Sequence, residues 1–118
     1  TFLGVVRSEP AENSELSFGR WSCACQDADG ITYPVLHSAS NWSRVNDPEL
    51  DVLLEKARSS LDPALRQAAY NEVHQVVREK YYTLPLYQAA VLYGATAGLT
   101  FEPTANESMF LNRMSMSN

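Results

Sequence analysis

Two stretches of the chain repeat apolar residues at helical spacing, and each begins with an Asp-Pro pair. After Asp47 and Pro48, the residues Leu50, Leu53, Leu54 and Ala57 fall at i, i+3, i+4 and i+7, the stripe of a helix with one face on a core. Aspartate suits the N-cap because its carboxylate accepts the first unpaired N–H groups, and proline suits the next position because its missing N–H is not needed there. Asp62 and Pro63 repeat the signal, and Leu65, Ala69, Val73, Val76 and Val77 carry a longer stripe that ends near Tyr81. Upstream, the acidic and glycine-containing Asp27–Gly30 reads as a turn or helix start. Ile31, Tyr33, Val35 and Leu36 follow it, which predicts a short helix closed by His37.

The flanks read differently. In ELSFGRWSCACQ, Leu16 and Phe18 and then Trp21, Cys23 and Cys25 alternate with a slip near Gly19, which predicts a half-buried strand over 15–25. From Thr83, LPLYQAAVLYG is rich in β-formers and holds Pro85, as an edge strand would. Residues 1–8 carry Phe2, Leu3, Val5 and Val6 too densely for alternation and read as the end of a helix or a strand cut short. A polar loop with Pro10 and Asn13 follows, and the tail beyond Gly98 shows no period. The expected order is therefore strand, three helices, strand and irregular tail. That is an α+β chain with an incomplete sheet, whose missing strands would come from sequence beyond these residues or from a second copy.

Composition narrows the function. The 118 residues are 45% hydrophobic with a net charge of −5 and nine basic residues spread along the chain. No apolar run approaches the roughly 18 residues of a membrane span. No basic patch exists to neutralise phosphates, so a nucleic-acid face is not expected. No export signal is expected within these residues either; it would lie upstream.

Nucleophilic catalysis needs a base beside a Ser or Cys, and only His37 and His74 are available, neither in a recognisable motif. Asp27 and Asp29 do not continue into a calcium loop. Cys23 and Cys25 would face opposite sides of a strand, so a bond between them is not expected. Half-buried thiols, a bond to a cysteine outside the chain and, with His37, metal ligation stay open. Hence no enzyme and no cofactor are expected. The alternatives are a small metal- or thiol-dependent enzyme using Cys23, Cys25 and His37, or a strand-pairing interaction module.

Trp21 with QDADG and ITYPVLHS is similar to a W-x-x-D-x-x-D-P segment and its short helix. NWSRVNDPELDVLLEKARSSLDP follows an N-Y-S-R/K-x-x-N-P-x-x-D-x-L-L-x-x-A-R pattern through Asn41, Trp42, Ser43, Arg44, Asn46, Pro48, Asp51, Leu53, Leu54, Ala57 and Arg58. RQAAYNEVHQVVREKYYTLPLYQ resembles a helix of R-x-x-x-Y-x-x-x-Q type followed by an I-P-L-Y strand. From Trp21 to Tyr87 the chain thus resembles the C-terminal region of family 5 extracellular solute-binding proteins, the peptide and nickel receptors of ABC importers.

The resemblance implies part of a two-lobed periplasmic-binding-protein-type fold of type II. Residues 1–88 would belong to the larger second lobe, and 89–118 would form a crossing strand and tail returning to the first. It also implies capture of an oligopeptide or related small solute between the lobes and delivery to ABC permease subunits in the membrane. The location would be periplasmic or extracellular, with or without a lipid anchor. The implied ligand-facing residues are Trp21, Cys23, Ala24, Cys25, Gln26, Trp42 and Arg44. Where the family binds peptides, an aspartate three residues after the tryptophan holds the ligand's ammonium; Ala24 stands there. A free amino terminus docked in the usual way is therefore not expected, because a buried ammonium without a partner costs several kcal/mol. A neutral, sugar-like or modified-peptide ligand fits Cys25 and Gln26 better, with Asp27 as the alternative anchor from an adjacent position.

Overall fold

A computed structural model describes residues 16–23 and 25–117. Three helices form in the expected order: α1 (Asp29–Leu36), α2 (Pro48–Ser59) and α3 (Pro63–Glu79). Both Asp-Pro starts act as the sequence predicts. The Asp47 carboxylate accepts from the N–H groups of Glu49 and Leu50 at 3.1 and 3.3 Å. The Asp62 carboxylate accepts from those of Ala64 and Leu65 at 2.7 and 3.2 Å. With only Ser60–Asp62 between them, α2 and α3 fold back as an antiparallel hairpin.

The apolar stripes meet between these helices and α1. Leu36, Leu50, Leu54, Val73 and Val77 form the main core, with Val35, Val45, Leu53, Val76 and Tyr82 packed around it. Nearer the hairpin turn, Ala57 and Ala69 face one another beside Tyr70; two small residues let the helix backbones approach where a large ring needs room. Leu65 departs from its stripe and is 63% exposed.

A buried carboxylate ties the hairpin's two ends together. Asp47 receives the Lys80 ammonium at 2.6 Å and the Tyr82 hydroxyl at 2.8 Å, so one side chain caps α2 and anchors the chain leaving α3. These donors, the Lys80 ammonium foremost, hold its carboxyl at about 2, below the usual carboxylate range. Tyr81 turns left-handed (φ 56°), and the Tyr82 N–H reaches back to the Val77 carbonyl, ending the helix.

Neither expected strand forms. Residues 16–23 and 83–94 make no backbone ladder among the described residues, since a strand exists only against a neighbour that supplies its hydrogen bonds. The tail read as irregular instead holds a two-stranded antiparallel sheet, β1 (Leu99–Thr100) against β2 (Ser115–Met116), with a 3₁₀ turn at Leu111–Arg113 between them. Tyr93 fastens the segment before β1 to the tail through its hydroxyl on the Thr104 carbonyl and its ring edge-on to Phe101.

The chain is three helices with a two-stranded sheet, an α+β composition, and it leaves much surface uncovered. It exposes 9164 Å², against roughly 6400 Å² for a compact monomer of this mass. Its radius of gyration is 18.2 Å, against about 13.5 Å for a compact domain of this length.

Candidate functional site

The residues that the sequence singles out converge at the start of α1. Proline at position 34 lies inside α1 and has no N–H to donate to the carbonyl four residues earlier, that of Gly30. Something else must satisfy that oxygen. The Trp21 indole N–H does so, at 3.0 Å. This fixes Trp21 on the helix, and Trp42, from the loop before α2, meets it edge-on with ring centroids 5.6 Å apart at 81°. The pair stays 37% and 42% exposed. Two large rings left half in solvent form a face that an apolar or amide-bearing ligand can cover.

Beside this pair, Cys23 and Cys25 are bonded to each other, contrary to the expectation from an extended strand. In a strand, residues two apart would be separated by roughly 6.6–7.2 Å. Here the two Cα atoms lie 5.2 Å apart, shorter than extended chain, and just beyond them Gln26 takes the left-handed region at φ 50°. The disulfide leaves neither sulfur as a thiolate for nucleophilic or metal chemistry. His37 is elsewhere: buried at the end of α1, it accepts from the Ala39 N–H on Nδ1 and faces Glu55 through Nε2 at 3.3 Å. No group of three potential metal ligands exists among the described residues.

The sulfurs rest against the bare Cα of Gly30; a Cβ built there would collide with both. The far end of the loop is held by charge. The Asp27 carboxylate accepts two hydrogen bonds from the Arg66 guanidinium, at 2.6 and 2.8 Å, and one from the Asp29 N–H at 2.8 Å. Asp29 in turn pairs with Arg58 at 3.2 Å. Asp27 is therefore already matched by a cation, which weakens it as a substitute anchor for a ligand's ammonium.

Of the residues expected to face a ligand, Trp21, Cys23, Cys25 and Trp42 come together, Gln26 and Arg44 are exposed on the adjoining loops, and Ala24 lies outside the described residues. Gly30 and Pro34 were not singled out, yet a proline four residues after a glycine in a short helix announces a freed carbonyl. The pairing of Asp27 with Arg66 spans 39 residues, and nothing local signals it. A separate open groove of about 690 Å³ lies between residues 88–93 and 103–105. Its lining includes the almost fully exposed Leu92, and it has no charged side chain among its lining residues to orient a ligand.

No family model matches the chain, and no solved structure matches it. Among curated proteins, the "Probable ABC transporter periplasmic-binding protein SapA" of Escherichia coli K12 is 30% identical over 102 residues, which cover 80% of this chain and 19% of that protein. The "Peptide transport periplasmic protein SapA" of Salmonella typhimurium LT2 is 31% identical over 104 residues, 81% of this chain and 19% of its own length. The chain thus spans about a fifth of the curated relatives it matches. Over most of its residues the chain is similar to SapA periplasmic-binding proteins, the kind of protein its motifs resemble.

Proposed function

We propose that the chain is part of the substrate-binding component of an ABC importer, in which the Trp21 and Trp42 rings face a peptide or peptide-like solute held between two lobes. Similarity to SapA-type proteins across 80% of the chain is the observation that carries this reading. The half-exposed tryptophan pair supplies a surface of the right chemistry, rigid aromatic area with nearby hydrogen-bonding groups.

In this reading residues 1–88 belong to the larger lobe of a two-lobed fold, and 89–118 return to the other. The uncovered apolar side chains after Tyr82 accord with that division. Binding would occur in the periplasm or outside the cell, and the loaded protein would deliver its solute to membrane permease subunits. No bond is made or broken, so affinity alone measures function.

The residue at 24 sets the ligand preference. Alanine offers nothing to an ammonium, and the nearby Asp27 is engaged by Arg66 at 2.6 Å. Peptides with a blocked amino terminus should therefore bind at least as tightly as their free counterparts. Isothermal titration of the full-length protein against free peptides, N-acetylated peptides and non-peptide solutes tests this. Binding of the acetylated set supports the reading, and silence across all three sets contradicts it.

A further inference from the structure

We propose that the Cys23–Cys25 disulfide is a redox latch that holds Trp21 on α1 and so sets the affinity of the tryptophan face; this rests on the reading of that face as ligand-facing. A single residue, Gly30, receives both parts. Its carbonyl, orphaned by Pro34, takes the Trp21 indole N–H at 3.0 Å, and its bare Cα gives the two sulfurs their seat. Trp21 and Cys23 are two residues apart, so the position of the disulfide governs how the indole reaches that carbonyl. Beyond the sulfurs, Asp27 is held by Arg66 through an ion pair that contains no redox-active group. The cross-link is thus the part of the loop's fastening that a reductant can remove.

The chemistry is ordinary thiol–disulfide exchange. A thiolate of a dithiol reductant attacks the sulfur of the exposed residue Cys25, and the Cys23 sulfur leaves as a thiolate. The reductant's second thiolate then displaces Cys25 and closes its own ring. The protein gains two electrons and, at neutral pH, two protons, while the dithiol is oxidised to a cyclic disulfide. Once unbonded, the two thiols separate to van der Waals distance, and the exposed Cys25 leaves its seat on Gly30. The loop lifts, the Gly30 carbonyl turns to water, and the edge-on contact between Trp21 and Trp42 opens.

The test uses the full-length protein with and without dithiothreitol, as wild type, Trp21→Phe and the double variant Cys23→Ser, Cys25→Ser. Alkylation and mass analysis establish the state of the two cysteines. Reduction is expected to change the tryptophan emission of the wild type but not that of Trp21→Phe. It should also weaken binding of an N-acetylated peptide on the order of tenfold, the effect of losing one anchoring contact. The double variant should show the weakened affinity with or without dithiol. Unchanged emission and affinity in a wild type whose two thiols are both alkylated would overturn the latch. So would a dithiol effect that survives in the double variant, or an untreated protein in which Cys23 and Cys25 are not joined to each other. If the oxidised protein binds no peptide, the functional reading fails, and the emission comparison still decides the latch.

Discussion

The helical hairpin and the segment that follows it are both rich in apolar residues, but only one of them buries them. Leu50, Leu54 and Val73 are at most 1% exposed, whereas Leu84, Leu86, Tyr87 and Leu92 are 61% to 90% exposed. The difference lies in where each pattern finds its partner. A helix satisfies its own backbone and needs a neighbour only along one stripe, and α2 and α3 provide that for each other across a short turn. A strand satisfies nothing alone. LPLYQAAVLYG has the composition of a strand and no ladder to join within the described residues.

The largest expected effect sharpens that contrast. In the full-length protein, Leu54→Ala should cost about 3 kcal/mol of stability by urea unfolding, the usual range for a buried leucine. Leu84→Ala decides whether the second region is covered by chain beyond these residues. A loss above ~1 kcal/mol means that Leu84 is buried there, and a change within ~0.5 kcal/mol means that it stays at the surface.

Next in size is the Asp47 anchor that ends the hairpin. Its carboxyl is lowered from 3.8 to about 2, so the folded state favours the ionised form. The corresponding stabilisation is fully present above pH ~4 and is lost as pH falls through about 2, on the order of 2 kcal/mol in all. Unfolding followed from pH 6 to pH 2 should show this decline in the wild type, and Asp47→Asn should flatten it. The smallest of these effects belongs to the second cap. Asp62→Ala removes the acceptor for two N–H groups and should cost about 1 kcal/mol in the same assay.

What could be read in advance follows the same division. Both long helices, their caps and most of the buried stripe were legible because spacing, N-cap and proline all act within a few residues. The strands were misplaced because pairing depends on a partner that local pattern does not reveal. β1 and β2 are two residues each, too short for alternation to show. At the candidate site, aromatic residues and cysteines were legible as types. Their arrangement was not, because Cys23 and Cys25, with Cα atoms 5.2 Å apart, do not keep the extended spacing on which the alternation relies. The link from Pro34 through the Gly30 carbonyl to Trp21 crosses nine residues between indole and acceptor and emerges only when the helix is assembled.

Hydrogen exchange on the full-length protein, with and without a bound N-acetylated peptide, tests the central claim most directly. The account predicts that ligand slows exchange in the segments around Trp21–Gly30 and Asn41–Arg44 and leaves the outer face of α3 unchanged. A peptide that binds while both of those segments exchange as before would show that the ligand lies elsewhere, and that the tryptophan pair is not the binding face.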